Sequence, residues 1–269
     1  TVAPRRVHPY DLEWMEGGML VHVWRLQQDL ALYLAPSSDW IPYIYPPLYP
    51  WLLSLMGDPS YATARGLSFA ATLACGLAAL VAVRREGVSW GMAAVAAAGF
   101  WIAYDVTGAF FDLARNDTLA LALSGWALVV GRRGPRKSIV IAGILLFLAF
   151  TAKQNYALLG LPMVFWIARR RGRSEALAFV LASAGPALLW TLWMHLSTEG
   201  VFLKYLLGVP GSHPLVGRRA WPLAERELWE ALAMLNGPQF VEAARALSHK
   251  LIQQHGDEDA EKIVVDMFR

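Results

Sequence analysis

Ala109-Phe110-Phe111-Asp112-Leu113-Ala114-Arg115-Asn116-Asp117-Thr118-Leu119-Ala120-Leu121-Ala122-Leu123 sets two carboxylates and a guanidinium between apolar runs that both read as membrane-spanning. Charge at membrane depth is expensive, so such residues face a protein interior or a wet cavity and mark function. The rest of the chain reads as a scaffold that holds this cluster opposite a second acidic cluster near the N-terminus.

Outward from that stretch the spans read as Ala62–Val83 and Val88–Phe111 before it. After it come Leu119–Gly131, Ser138–Ala152, Tyr156–Ala168 and Ala176–Leu196, the last interrupted by Gly185-Pro186. An apolar run over Leu48–Met56 packs on, or begins, a membrane helix. Composition agrees: 56% of the 269 residues are hydrophobic, with 12 Trp and a mean hydropathy of +0.37. Soluble domains are less apolar, and Trp favours membrane interfaces. The expected fold is therefore an all-α, polytopic membrane helical bundle with an outer acidic loop and a short soluble helical tail.

Basic runs at residues 84–85, 132–137 and 169–173 fall on alternate loops. The positive-inside rule puts all three in the cytoplasm. Residues 1–47, 112–117, 153–155 and 197–220 then share the opposite, outer face, and with them every suggestive polar group. The 13 residues of Leu119–Gly131 make about 20 Å of helix against a hydrocarbon core of roughly 30 Å. A short helix like this places Asp112, Arg115, Asp117 and Lys153 partly below the outer surface, around a wet pocket.

Residues 1–221 carry 19 Lys and Arg against 12 Asp and Glu, and residues 222–269 carry 5 against 9. That reversal of sign near Trp221 predicts a boundary. The expected domains are an outer loop over 1–47, a bundle over 48–205, a linker over 206–221 and an acidic helical module over 222–269. The chain begins at Thr1 without a visible signal peptide, and a preceding piece with a first transmembrane helix is expected. The single Cys75 provides neither a disulfide framework nor a Cys-based metal site. No P-loop, dinucleotide Gly motif, G-x-S-x-G or His-rich metal motif occurs, which leaves nucleotide-dependent cytoplasmic chemistry without a home. Nothing in the pattern points to nucleic acid.

Three constellations carry chemistry. Asp11, Glu13 and Glu16 lie within six residues beside Gly17-Gly18, as a general base and metal ligand or as an acidic interfacial loop anchored by Trp14. Asp112 and Arg115 share a face at helical spacing, as an internal ion pair or as part of a site with Asp117 in which Asp holds a metal and Arg clamps a phosphate. Lys153 in Thr151-Ala152-Lys153-Gln154-Asn155 either snorkels to the interface or meets a phosphate. Arg65 and His22 are weaker candidates, and Lys204 and Tyr205 carry little signal.

The order of an outer acidic loop, Tyr45-Pro46-Pro47-Leu48-Tyr49-Pro50, Asp112-x-x-Arg115-x-Asp117 and Lys153-Gln154 resembles the C-type (GT-C) glycosyltransferase superfamily over about residues 8–205. Relatives include protein O-mannosyltransferases and the aminoarabinose transferases of lipid A. The resemblance implies an inverting, multi-pass enzyme of the bacterial cytoplasmic membrane with its site facing the periplasm. Such an enzyme takes a sugar from a polyprenyl-phosphate donor and passes it to an acceptor hydroxyl on a glycan, lipid or protein. It also implies an acidic base in the first outer loop. Counting back from Arg25-Leu26 places the base at Glu16, with Gly17 where the family has Glu, and Glu13 and Asp11 are the neighbouring alternatives. Arg115 and Lys153 match residues suited to the donor phosphate. Asp117, with Asp112, matches a position suited to a divalent cation, magnesium or manganese, which some members need and others do not. The rival reading is a non-enzymatic or inactive membrane protein that binds lipid phosphates or partner proteins.

The tail, from Ala231 to Leu247, resembles the C-terminal uncharacterised domain of large exported planctomycete proteins, with Phe240, Ala244, Leu247 and Leu251 on one helical face. The join near residues 208–222 reads either as a fusion or as a truncated and spliced gene.

Overall fold

In a computed structural model, residues 2–57, 59–104 and 107–212 are described. They belong to a unit spanning residues 1–212. The acidic module expected over 222–269 lies outside the described residues. Among the described residues the chain is all-helical, with no strand. The elements are α1 (Val2–Arg6), α2 (Met15–Gln27), α3 (Leu48–Ser54), α4 (Tyr61–Arg84), α5 (Trp90–Ile102), α6 (Asp117–Arg132), α7 (Arg136–Ala152), α8 (Gly160–Arg170) and α9 (Arg173–Ser197), then a short helical stretch over Val201–Gly211. A tightly wound turn, Gln154–Leu159, joins α7 to α8.

Local chemistry sets the helix starts. Ser60 and Ser89 cap α4 and α5 by accepting from the backbone N–H of Thr63 and Met92. Asp117 opens α6, where a carboxylate suits the positive end of the helix dipole. Successive neighbours pack in the order α5, α4, α6, α7, α9, with α8 against α9. A core of Ala127, Ile139, Ala142, Leu146, Met163, Ile167, Ala176 and Phe179 unites α6 to α9. Burial of these side chains drives the packing.

Among the described residues two helices, α4 and α9, are long and apolar enough to cross a membrane. Only 17% of the apolar window of α9 is buried. Its Leu177, Leu181, Leu188, Leu189, Leu192 and Trp193 stand exposed, an apolar face of the kind that meets lipid or a partner.

Two sequence expectations need correction. The span expected over Val88–Phe111 stops at Ile102. Gly108 and Ala109 both adopt positive φ, 75° and 59°, and a helix does not continue through consecutive left-handed residues. The chain instead loops through residues 107–116. The interruption expected at Gly185-Pro186 is absent: α9 runs unbroken over 25 residues with Pro186 inside it. Proline removes one backbone donor, which a long helix in apolar surroundings tolerates.

This order gives the helices two unlike ends. At one end Arg132 and Arg133 meet Glu86, and Arg171 donates to the carbonyls of Gly131 and Gly134. The three basic loops thus converge. At the other end Glu16 accepts from the backbone of Ala114, Asn116 donates to Ala152 O, and Gln154 donates to the carbonyls of Ile44 and Leu206. The four remaining loops meet there, and this acidic end holds the candidate site.

Candidate active site at the acidic end

The site begins with a polar stripe on α4. Arg65, Ser68, Thr72 and Cys75 recur at near-helical spacing and are all buried. Ser68 Oγ donates to Arg115 O at 3.1 Å and Thr72 Oγ1 to Phe111 O at 2.6 Å. Cys75 Sγ lies 3.7 Å from Thr118 O. The stripe therefore satisfies carbonyls of the irregular 111–118 segment, which would otherwise be buried and unpaired.

Arg65 completes the stripe at its outer end. Its Nε and Nη2 donate to Glu16 Oε1 and Oε2 at 2.9 and 2.6 Å, and the remaining donors reach the carbonyls of Arg5, His8 and Tyr10. Glu16 also accepts from the backbone N–H of Leu12 and Ala114, both at 2.7 Å. Both side chains have zero exposure, and together they use all five guanidinium donors and both carboxylate oxygens. Burial alone would raise the Glu16 pKa, but the hydrogen bonds from Arg65, Ala114 and Leu12 outweigh it and hold it below the usual value. Glu16, the first candidate for a general base, is thus sealed and saturated. It ties together the N-terminal segment, α2, α4 and the 111–118 loop.

Asp112 is a second tie. Residues 112–116 are not helical, so Asp112 and Arg115 do not pair as their spacing suggested. Asp112 instead accepts from Arg5 Nε at 3.0 Å and from Tyr104 Oη at 2.8 Å, and it is 1% exposed.

Above these buried ties lies a row of largely buried charges whose side chains are 13–31% exposed. Arg115 Nη1 is 3.1 Å from Glu13 Oε2, and Arg115 Nε is 3.1 Å from Asp117 Oδ2. Asp117 Oδ1 pairs with Lys153 Nζ, which also stands over the Tyr45 ring at 5.1 Å. The order is Glu13, Arg115, Asp117, Lys153, alternating in sign. Burial opposes the charge on Arg115, and Asp117 and Glu13 more than restore it, so its pKa is raised. Lys153 does not snorkel away but is turned onto Asp117.

Asp11 stands differently. It is exposed, and its partner is the neutral Tyr61 hydroxyl at 2.5 Å. A Cβ at Gly17 would lie 3.0 Å from both Asp11 oxygens, and one at Gly18 would lie 1.8 Å from Tyr43 Oη. The glycine pair therefore makes room for both side chains. Tyr43 donates to Met15 O at 2.9 Å, and its own pKa is pushed up to about 12 by burial and by the nearby Glu13 and Asp11 carboxylates.

Tyr43 and Tyr61 carried no role in the sequence reading, and Tyr45 entered only within the motif Tyr45–Pro50. The other weak candidates are structural or peripheral. Lys204 is exposed and Tyr205 buried. His22 is 5% exposed, with Nδ1 2.7 Å from Gly18 O and Nε2 accepting from Tyr43 N at 3.1 Å. Those partners suit the neutral ring, and burial lowers its pKa to about 4.

Because the folded pKa of His22 lies below its ordinary 6.5, the unfolded state binds the extra proton between those values. Stability is full above pH 6.5 and falls as pH drops towards 4. Thermal unfolding in detergent should show a loss of about 2 kcal/mol between pH 8 and pH 5. His22→Gln should flatten that slope, and an unchanged slope would remove His22 as its source.

The residues do not fit a divalent cation as they stand. Asp117 is engaged by two cationic side chains and Asp112 by Arg5 and Tyr104. No group of three His, Cys, Asp or Glu that could hold a metal occurs among the described residues.

A family model described as glycosyltransferase family 87 matches residues 43–238. The match takes in Arg115, Asp117 and Lys153, begins after Asp11, Glu13 and Glu16, and runs past the charge reversal at Trp221. No curated protein and no solved structure matches the chain.

Proposed function

The chain belongs to glycosyltransferase family 87, and from that premise we propose that it transfers a sugar, with inversion, from a polyprenyl-phosphate donor to an acceptor hydroxyl. The helices cross a bacterial cytoplasmic membrane several times, with the basic end in the cytoplasm and the acidic end on the periplasmic face. The exposed apolar surface of α9 and the convergence of the three basic loops support this orientation.

The observation that carries the reading is the row Glu13, Arg115, Asp117, Lys153 beside the exposed Asp11. Asp11 is the base, because its carboxylate reaches solvent and pairs with no cation among the described residues, whereas Glu13 is engaged by Arg115 and Glu16 by Arg65. Asp11 takes the acceptor proton as the hydroxyl oxygen bonds to the anomeric carbon. The bond from that carbon to the phosphate oxygen breaks, and its electron pair leaves with the lipid phosphate. Arg115 and Lys153 face that developing charge. Arg115 provides a fork for two phosphate oxygens and Lys153 a point charge. Asp117 and Glu13 hold the two cations in place before substrate arrives, so little reorganisation is needed in the reaction.

The test is sugar transfer from a polyprenyl-phosphate donor in membranes carrying single variants. Arg115→Gln and Lys153→Gln should each lower kcat by about 10²-fold, the usual scale for removing one preorganised charge-stabilising group. Rates within a factor of two of the parent for both variants would overturn the assignment.

A further inference from the structure

The basic end contains a cavity of about 230 Å3 lined by Glu86, Arg132, Arg133, Trp166 and Arg170. It is formed where α6 and α8 end beside the loop that follows α4. Helix C-termini expose unpaired carbonyls, so arginine there usually serves as a cap. Several arginines at this end do so. Arg85 donates to Val129 O at 2.5 Å, and Arg171 donates to Gly131 O and Gly134 O at 3.1 and 2.7 Å.

The cavity arginines carry donors beyond such caps. Arg132 and Arg133 share the single carboxylate of Glu86, at 2.8 and 3.3 Å. Arg133 additionally donates to Arg85 O through Nη1. Arg170 makes no hydrogen bond or ion pair among the described residues. Three guanidinium groups thus face one carboxylate, with donors to spare and space between them. Trp166 forms the apolar wall of the cavity on the side of the helix core, the position of a ring at a membrane interface.

We propose that this cavity binds the phosphate of an anionic lipid headgroup, at the end of the molecule opposite the transfer site. The forked donors of Arg132, Arg133 and Arg170 match phosphate oxygens, and basic pockets between membrane helices on the cytoplasmic side are suited to such headgroups. A lipid is favoured over a free phosphate because the cavity opens where the apolar helices end, so acyl chains continue along their exposed faces. The site depends on these helices crossing a membrane and not on the transfer chemistry, so a failed transfer assay leaves it standing.

The experiment is native mass spectrometry of the full chain in detergent, with phosphatidylglycerol, phosphatidylethanolamine and inorganic phosphate as separate probes. Phosphatidylglycerol should remain bound in preference to phosphatidylethanolamine, with affinity falling about 5-fold for each arginine removed in Arg132→Gln, Arg133→Gln and Arg170→Gln. Glu86→Gln should strengthen binding, because it removes the competing carboxylate, and a gain of affinity is not a consequence of misfolding. Arg170→Gln alone is the variant least able to disturb the fold. Equal retention of the two lipids would overturn the site, as would lipid retention unchanged by both Arg170→Gln and Glu86→Gln. Inorganic phosphate held as tightly as phosphatidylglycerol would overturn the lipid assignment.

Discussion

Glu16→Ala should lower the stability of the protein by about 3–5 kcal/mol, the usual cost of stripping one partner from a buried ion pair. The variant would leave the Arg65 guanidinium at zero exposure with no carboxylate beside it and would strand the N–H groups of Leu12 and Ala114. Arg65→Ala should cost as much, because it also abandons the carbonyls of Arg5, His8 and Tyr10. The double variant should fall well short of the sum, since the two residues act as one unit. Thermal or denaturant unfolding in detergent measures all three. A Glu16→Ala protein that unfolds at the parent's temperature would show that Glu16 is not a structural tie. It would return the residue to candidacy as the base.

Asp11→Asn should have the opposite signature: an intact fold and a rate of transfer lowered by about 10²–10⁴-fold, the range supplied by a positioned general base. Asparagine keeps an oxygen for the Tyr61 hydroxyl and fits the space beside Gly17. It does not take the acceptor proton at neutral pH. Donor binding should persist, because Arg115 and Lys153 are untouched. Glu13→Gln separates the alternatives. That change weakens the hold on Arg115 without removing the base, so it should slow transfer less than Asp11→Asn. The reverse order would move the base to Glu13.

Much of the scaffold was legible because hydropathy and basic runs report directly on helices. The span expected at Ala62–Val83 is α4, one residue longer at each end, and Ser138–Ala152 lies within α7. The alternation of basic and polar loops anticipated the two unlike ends. The break after Ile102 was passed over although Asp105, Thr107 and Gly108 interrupt the apolar residues before Phe111, and Gly108 and Ala109 turn the backbone. Pro186 misled in the other direction, because a breaker in isolation is tolerated inside a long apolar helix.

Within the site, the residue types were legible but their partners were not. The distance in sequence is the reason: Glu16 meets Arg65 across 49 residues and Asp112 meets Arg5 across 107. No local spacing encodes such pairs, whereas the short spacing of Asp112 and Arg115 suggested one that does not form. A buried carboxylate and an exposed one look alike in sequence, so the residues left Asp11, Glu13 and Glu16 open as the base, and only the count back from Arg25-Leu26 put Glu16 first. The stripe Arg65, Ser68, Thr72, Cys75 was the missed clue that α4 supports the charged loop.

The most direct measurement is turnover of a radiolabelled polyprenyl-phosphate sugar by the purified full chain in proteoliposomes, followed as sugar passed to an acceptor hydroxyl. The protein should transfer the label with inversion at the anomeric carbon, and Asp11→Asn should bind the same donor and leave it intact. Donor that binds the parent protein without ever being consumed would contradict the account, as would transfer that survives Asp11→Asn unchanged.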